Sequence, residues 1–320
     1  MAKMKYLILG ASGFLGKSII DRILRDSKDT LVLFDRVLDK KFIEERWSAR
    51  IEWIQGDIQN IDDFSCIFDR VDIVLHLIST TKPSTALKNG YVQEIEENVI
   101  PTIQLLDICV KNKVKKFVFI SSGGTVYGNT QNLLSCEEDS TTPICSYGIH
   151  KLMIEKYIYL YGLKSGLDYN IIRLSNPYGP FQNPESGLGA ITNFVYKAVK
   201  GEKIVIFGDG ASMRDYIYID DAVQGILNIC QYIGEERLFN LGTGKGTTLN
   251  EIVHIIEFYL NKKLDVEYCV ARESDLRRNV LNIDLYEKAF GEKEYITVSE
   301  GIKKMLLFYE TKQSEMGLNI

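Results

Sequence analysis

The chain has 320 residues, of which 45% are hydrophobic and 25% charged, with 25 glycines and 6 prolines. This balance is typical of a globular protein and excludes a disordered or fibrous chain. The 38 Lys and Arg residues against 43 Asp and Glu give a net charge of −5, which excludes the broad basic surface that nucleic acid requires.

The N-terminal half alternates short β-branched runs with segments of helical period. This alternation predicts an α/β fold, a doubly wound parallel sheet of the Rossmann type. The predicted strands cover residues 5–9, 30–34, 51–54, 73–77, 116–121 and 170–174. The predicted helices cover residues 14–25, 61–68, 91–111 and 146–161.

The composition changes after Leu174, where the segment SNPYGPFQNPESGLG holds three of the six prolines. Such a segment predicts an irregular loop that leaves the sheet. Beyond it we expect a smaller C-terminal α/β domain with helices near residues 190–200, 249–260 and 299–309.

A glycine loop connects the first predicted strand to the first predicted helix. Gly10, Gly13 and Gly16 allow a tight turn, close approach of the backbone to a pyrophosphate, and close packing of helix on strand. Asp35 ends the second strand 19 residues after Gly16, where a carboxylate can bind the ribose hydroxyls of NAD. The sequence therefore predicts a dinucleotide site with NAD as the cofactor.

The segment SYGIHK places Tyr147 and Lys151 four residues apart on a predicted helix, so that both side chains share one face. A phenol with an ordinary pKa of about 10 is a weak base at neutral pH, and a nearby ammonium group would help it to ionise. We interpret the two residues as a catalytic pair.

The G-x-x-G-x-x-G spacing and the Tyr–Lys pair resemble the extended short-chain dehydrogenase/reductase family, specifically its nucleotide-sugar epimerases and dehydratases. The resemblance spans nearly the whole chain. It implies that Asp57 contacts adenine and that Asp35 favours NAD over NADP, although Arg36 could also accommodate a 2′-phosphate. The cofactor contacts expected from the glycine loop and the resemblance are Gly10, Ser12, Gly13, Phe14, Leu15, Gly16, Asp35, Arg36, Asp57, Ile58, Leu77, Asn98, Tyr147 and Lys151.

In this family a Ser or Thr that hydrogen-bonds the reacting sugar oxygen follows the fifth strand. Aligned on TVYG, that position is Gly123, so the expected hydroxyl is absent. Thr125 or Ser122 could replace it, and we prefer Thr125 because the strand pleat fixes the direction of Ser122; alternatively, neither hydroxyl is used. The segment also lacks the acidic pair of the family's dehydratases.

The resemblance implies that residues 1–175 form the NAD-binding domain. Residues 176–320 would form the nucleotide-sugar domain, with a segment at about 215–242 returning to the first. Arginine is the natural bidentate partner of a diphosphate, and Arg214 and Arg272 lie in family-like segments. The expected substrate contacts are Thr125, Asn176, Arg214, Arg272 and Asn279, with Asn279 controlling whether a 2-N-acetyl group fits.

The predicted function is NAD-dependent epimerisation at C4 of a UDP-hexose or UDP-N-acetylhexosamine through a transient 4-keto sugar. The alternative is an NAD(P)H-dependent reductase of a nucleotide-linked 4-keto-6-deoxysugar, such as a dTDP sugar. A third possibility, a redox-sensing protein that binds NAD without chemistry, is disfavoured because Tyr147 and Lys151 are both present. We expect a homodimer built from the helices at 91–111 and 146–161, by resemblance to dimeric family members.

No apolar run approaches the roughly 20 residues that span a bilayer, and the N-terminus leads directly into the glycine loop. We therefore predict a cytoplasmic protein without a membrane or nucleic-acid partner. The six cysteines form no C-x-x-C pair and only three histidines exist, which predicts neither a disulfide framework nor a metal site.

Overall fold

The computed structural model of the protein describes residues 3–39, 43, 45–81, 90–130, 132–271 and 276–315. The chain forms two compact units. The first contains residues 1–126, 143–173 and 223–239, and the second contains 127–142, 174–222 and 240–320. The predicted assignment of residues 1–175 to NAD and 176–320 to the nucleotide sugar stays a prediction.

The strands in chain order are β1 (Lys5–Leu9), β2 (Thr30–Asp35), β3 (Ile51–Gln55), β4 (Ile73–His76), β5 (Lys116–Ser122), β6 (Tyr169–Leu174), β7 (Asn176–Tyr178), β8 (Ile204–Phe207), β9 (Met213–Tyr218), β10 (Leu238–Leu241), β11 (Gly246–Thr248), β12 (Val266–Cys269) and β13 (Arg278–Asn279). The α-helices are α1 (Phe14–Asp26), α2 (Tyr91–Lys111), α3 (Ser146–Ser165), α4 (Ala190–Lys200), α5 (Ile219–Cys230), α6 (Leu249–Leu260), α7 (Asp284–Phe290) and α8 (Val298–Glu315). Two 3₁₀ helices cover Glu45–Arg50 and Ile58–Phe68.

A seven-stranded sheet in the order β10-β6-β5-β4-β1-β2-β3 is the main sheet of the structure. The pairings from β3 to β5 are parallel. The direction of strand succession reverses between β1 and β4, and the carboxyl ends of strands at such a switch point are where ligands bind in open α/β sheets. The predicted α/β fold class is confirmed.

Both faces of this sheet are buried, which explains why its strands are nearly continuous hydrophobic runs. One set of alternate residues, including Leu7, Leu9 and Phe119, joins a core with residues of α2, α3 and the 3₁₀ helix Ile58–Phe68. Residues of the opposite set, such as Tyr6, Ile8 and Val118, are equally buried. The inward face of α1 is buried as well, through Ile19, Ile20, Ile23 and Leu24.

All six predicted strands exist within one residue of their expected bounds, but the predicted α-helix at 61–68 is wrong. The segment is a 3₁₀ helix that begins at Ile58, with Asp57 as its cap. The Asn60 amide donates to the Asp57 carbonyl three residues earlier, the tighter pattern of a 3₁₀ turn. The last predicted helix begins one residue earlier than expected and extends to Glu315.

In the second unit, β9 pairs with β7, β11 and β13, and β8 pairs with β12. Helices α4, α6 and α8 contact one another. The register places Asn176 opposite Tyr216 and Asn279 opposite Arg214, so β9 is the strand around which the substrate candidates of this unit are arranged.

Candidate active site

The glycine loop is a close-packed turn that a larger residue would disrupt. Gly10 has a φ of +91°, a left-handed conformation that favours glycine. A Cβ on Gly16 would lie 2.4 Å from the Gly10 carbonyl oxygen and 2.6 Å from that of Ala11. Gly13 is the N-cap of α1 and has no side chain to cover the first-turn amides. The loop therefore leaves a helix N-terminus suited to binding an anion.

Asp35 connects this loop to the end of β2. Its carboxylate accepts from the Ser12 backbone amide at 2.9 Å and from the Arg36 amide at 2.7 Å. The Ser12 hydroxyl in turn accepts from the Asp39 amide at 3.1 Å. Asp35 thus holds the glycine loop in place. It also lies at the end of β2, where the sequence predicts a contact with the ribose.

Arg36 and Asp57 lie close to each other at the neighbouring strand end. The Arg36 Nη1 atom is 3.9 Å from an Asp57 carboxylate oxygen, and the guanidinium is largely exposed. Asp57 also accepts from the Gln59 amide at 3.0 Å, which caps the following 3₁₀ helix. The structure therefore brings together Asp57, expected at adenine, and Arg36, the residue that could accommodate a 2′-phosphate.

The other cofactor candidates fall into two groups. Phe14 and Leu15 are half-buried in the first turn of α1, and the Leu77 amide donates to Leu9 beside the glycine loop. Ile58 is buried in the core, and Asn98 holds the segment after β4. The Asn98 side chain accepts from the Thr80 amide at 2.9 Å and donates to the Thr80 hydroxyl at 2.7 Å.

These features fit a dinucleotide. The glycine loop has no room for a Cβ at Gly16, and it lies at the strand reversal where the fold binds such ligands. The loop amides suit the pyrophosphate, and Asp35 suits the ribose hydroxyls.

The predicted catalytic pair lies on α3. The Lys151 ammonium is buried, donates to the Ile120 carbonyl at 2.7 Å, and lies 4.5 Å from the centre of the Phe119 ring and 5.8 Å from that of Tyr147. Burial lowers the pKa of Lys151 to about 7, and the negative charge of Glu155 opposes this shift. Because nearby His76 has its pKa lowered to about 3, chiefly by burial, it adds no positive charge at neutral pH.

The surroundings of Tyr147 favour its protonated form. Burial raises the pKa of Tyr147 to about 12, and a hydrogen bond with the Ser122 side chain opposes the shift. Positive charge brought close to the phenol by a ligand would lower its pKa from this raised value.

The two hydroxyls that could replace the missing family residue have different surroundings. Ser122 contacts Tyr147, whereas the buried Thr125 hydroxyl finds no hydrogen-bond partner within the described part of the chain. The Thr125 carbonyl lies 2.9 Å from where a Cβ of Gly148 would be, so that glycine allows α3 to begin against this turn. Ser122 is thus the hydroxyl that accompanies Tyr147.

His150, which lies between Tyr147 and Lys151 in the sequence, faces another helix. Its Nδ1 atom is 3.7 Å from a carboxylate oxygen of Glu94 on α2, and both side chains are buried. Burial lowers the pKa of His150. The contact is one between packed helices.

In the second unit the substrate candidates take part in the packing of β9. The Asn176 amide donates to the Asp215 carbonyl at 2.9 Å, and Arg214 donates to the Met213 carbonyl at 2.9 Å. Asn279 is fully buried on β13. Arg272, the second predicted phosphate ligand, lies outside the described residues.

Four polar residues that contact the candidate residues or their strands were not predicted from the sequence: Ser121, Glu155, Arg173 and Asp215. Glu155 follows Lys151 by four residues, so helical spacing could have identified it. Asp215 is fully buried and accepts hydrogen bonds from Thr243 and the Gly244 amide. Burial raises the pKa of Asp215, and these hydrogen bonds oppose the shift. Its partners come from a distant part of the chain, which no local pattern indicates.

Residues 6–242 match the model of the NAD dependent epimerase/dehydratase family. A Methanocaldococcus jannaschii protein provisionally named UDP-glucose 4-epimerase is 33% identical over 94% of this chain and 96% of its own length. The dTDP-4-dehydro-6-deoxyglucose reductase of Escherichia coli is 32% identical over 94% of this chain and 96% of its own length. The crystal structure of a Thermotoga maritima UDP-glucose 4-epimerase with UDP-glucose superposes with a TM-score of 0.89 at 27% identity, covering 97% of this chain and 99% of that one.

The chain belongs to the NAD-dependent epimerase/dehydratase family. It is an NAD-dependent enzyme of the epimerase class, and NAD is its cofactor, as the sequence predicts. The described helices include none that is long and apolar enough to cross a membrane. Within the described ranges no three His, Cys, Asp or Glu side chains form a group able to hold a metal ion.

Proposed function

We propose that the protein interconverts the C4 epimers of a UDP-hexose or a UDP-N-acetylhexosamine. The observation that carries this proposal is the arrangement on α3, where Tyr147 hydrogen-bonds Ser122 and has the Lys151 ammonium beside its ring. The turn that follows β5 contains Gly123, Gly124 and Thr125 and no carboxylate. It therefore offers an alcohol-to-ketone proton relay without the acid and base that removal of water from the sugar would require.

The proton steps follow from these positions. Tyr147 accepts the proton of the sugar O4 hydroxyl, and Ser122 hydrogen-bonds the same oxygen. Tyr147 must be a phenolate before it can accept this proton, and the Lys151 ammonium stabilises that phenolate. NAD, when bound, supplies the hydride chemistry at C4. Once the keto sugar has presented its other face, the alcohol is regenerated when the hydride chemistry at C4 runs in reverse and Tyr147 returns the proton to O4.

We assign the hydroxyl role to Ser122 rather than to Thr125, which the sequence favours. The support for this choice is the contact that Ser122 makes with Tyr147. Thr125 would then be a structural residue of the turn, where its carbonyl lies against the start of α3.

The nucleotide diphosphate would be bound by residues of the second unit. Arg214 and Arg272 would supply guanidinium groups, and Asn176 would hold the backbone of β9 beside Arg214. Asn279 pairs with Arg214 in the β9–β13 register, which supports a role close to the same ligand.

The second candidate function is reduction of a nucleotide-linked 4-keto-6-deoxysugar. It uses the same Tyr147 and Lys151, and the reductase from Escherichia coli is nearly as similar to this chain as the relative named an epimerase. The reactions differ in the fate of the cofactor, which an epimerase retains and a reductase exchanges in each turnover.

A homodimer through α2 and α3 belongs to the same proposal, but its contact residues differ from those expected. The apolar stripes expected from helical spacing consist of Ile100, Ile103, Leu106 and Val110 on α2 and Ile154, Ile158 and Tyr161 on α3. Of these, Leu106, Ile154 and Ile158 are buried in the core of the first unit, whereas Ile100 is exposed. The exposed apolar side chains of the two helices are Tyr91, Val92, Ile100, Ile149, Tyr159, Leu160 and Leu163. Light scattering at micromolar concentration should give twice the mass of the chain, and a monomer would contradict the proposal.

The function is tested by assaying the purified protein for bound NAD(H) and for turnover. We expect retained NAD(H) and conversion of UDP-glucose, UDP-N-acetylglucosamine or both into the C4 epimer without added cofactor. An empty site, no epimerised product and consumption of NAD(P)H with a dTDP-linked 4-keto-6-deoxysugar would replace the epimerase by the reductase.

A further inference from the structure

Three consecutive residues at the end of β5 contact three successive turns of α3. Ser122 hydrogen-bonds Tyr147, the Ile120 carbonyl accepts from Lys151, and the Ser121 hydroxyl donates to Glu155. Residues four apart on a helix share one face. The face that carries Tyr147 and Lys151 therefore continues by one more turn to a carboxylate.

The Glu155 carboxylate is buried and held from two sides. Only 3% of Glu155 and 3% of Arg173 is exposed. Arg173, on β6, donates from Nη2 at 2.8 Å and from Nε at 3.2 and 3.3 Å, and Ser121 donates to the same carboxylate. A buried ion pair adds little stability compared with apolar residues of the same size, so its position next to the catalytic pair points to another use.

Lys151 needs a source of negative charge because it is itself buried. The uncharged groups around its ammonium are the Ile120 carbonyl, the Phe119 ring and the Tyr147 phenol. Burial among them favours release of the Lys151 proton. On β4, His76 is neutral at the pH where the enzyme would work. His150 faces Glu94 of α2. Glu155 is the carboxylate that favours the charged form of Lys151.

We propose that Glu155 is a positioning residue that keeps Lys151 as an ammonium facing Tyr147, with Arg173 and Ser121 fixing the carboxylate. The proposal rests on the proposed roles of Tyr147 and Lys151. Without the negative charge, Lys151 loses its proton at lower pH. Tyr147 then loses its neighbouring positive charge at lower pH as well, which lowers the upper end of the pH range in which the pair can act.

The test is Glu155→Gln in the NAD-loaded protein, with Glu94→Gln as the matched control. Both glutamates are about 3% exposed and lie on neighbouring helices, but Glu94 faces His150 instead of Lys151. We expect Glu155→Gln to lower kcat at least about tenfold with KM changed less than about twofold. The alkaline limb of the kcat–pH profile should move down by roughly one unit. Glu94→Gln should leave both limbs in place.

A second readout does not depend on a substrate. The ¹⁵N resonance of the Lys151 side chain is identified by its absence in Lys151→Met and is followed through a pH titration of each protein. We expect the apparent pKa of Lys151 to be lower in Glu155→Gln than in wild type, because the carboxylate that favours its charged form is gone. If this shift occurs while no nucleotide sugar is turned over, the proposed function fails and the role of Glu155 stands.

An unchanged pH profile and an unchanged Lys151 titration in Glu155→Gln would overturn the proposal, whatever happens to the melting temperature. If Glu155→Gln does not fold, Ser121→Ala removes one hydrogen bond and leaves the charge in place. A smaller shift of the alkaline limb, in the same direction, supports the proposal in that variant. No shift in a folded Ser121→Ala protein overturns it.

Discussion

In the first unit the catalytic pair, Tyr147 and Lys151, lies on a single helix, α3, whereas in the second unit the described substrate candidates come from three strands, β7, β9 and β13. The difference lies in how far apart in the sequence the grouped residues are. Spacing along a helix is fixed by 3.6 residues per turn, so Tyr147 and Lys151 had to share a face wherever the helix lay. Asn176, Arg214 and Asn279 are brought together only by strand pairing.

The units also differ in whether their candidate side chains contribute to the packing and hydrogen bonding of the fold. On α3, the hydroxyl of Tyr147 contacts another candidate, Ser122. On β7, the side-chain amide of Asn176 holds the backbone of β9, and on β13 Asn279 is fully buried. Substitutions of Tyr147 and Ser122 should therefore act on the rate, and those of Asn176 and Asn279 should act on stability as well.

The largest effect on rate is expected from Tyr147→Phe, the sharpest test of the chemistry assigned to the first unit. Loss of the phenolic oxygen should lower kcat by about 10²–10⁴-fold, as for other general bases, while bound NAD is retained. Steady-state rates and the amount of copurified NAD measure the two properties separately. A variant with more than about a tenth of the wild-type rate would remove Tyr147 from the role of base.

Within the glycine loop, Gly16→Ala should be strongly disruptive and Gly13→Ala mild. The new Cβ of Gly16→Ala would overlap two backbone oxygens, at 2.4 and 2.6 Å, whereas that of Gly13→Ala would be 3.3 Å from one oxygen. We expect the first to lower the free energy of unfolding by about 1–3 kcal/mol and to weaken NAD binding, and the second to cost less than about 1 kcal/mol. Denaturant unfolding and NAD titration check this order, which equal losses in the two variants would contradict.

Replacing the two hydroxyls at the end of β5 distinguishes a reacting group from a structural one. Ser122→Ala should lower kcat about tenfold, because it removes the partner of Tyr147. Thr125→Val keeps the shape of a buried side chain whose hydroxyl has no partner among the described residues, and its kcat should stay within about twofold of wild type. The opposite order of rates would return the role to Thr125.

The smallest effect is expected for Asn279→Tyr, measured as a ratio of two substrates. Asn279 is expected to leave room for a 2-N-acetyl group, and a tyrosine there would occupy that room. The ratio of kcat/KM for UDP-N-acetylglucosamine to that for UDP-glucose should therefore fall about three- to tenfold, roughly 1 kcal/mol. Because Asn279 is fully buried, the variant should also melt at a lower temperature. Lower stability with an unchanged ratio would make Asn279 a packing residue of β13.

The sequence by itself predicted the strands of the first unit and the glycine loop between β1 and α1. Gly10, Gly13 and Gly16 follow a β-branched run and precede a helical period, and Asp35 ends the next strand. Each of these signals lies within one element or at the junction of two consecutive elements, and the strands lie within one residue of their predicted bounds. The same locality placed Tyr147 and Lys151 on one face of α3.

Only the tertiary structure decided which groups surround those residues. The contact of Ser122 with Tyr147, and the binding of Glu155 by Ser121 and Arg173, depend on how β5 and β6 lie against α3. The same is true of the exposed apolar residues of α2 and α3, since sequence periodicity marks a hydrophobic stripe without saying whether the core or a partner covers it. The physical reason is that packing joins residues far apart in the chain, and hydrophobic spacing constrains a face of each element but not its neighbour.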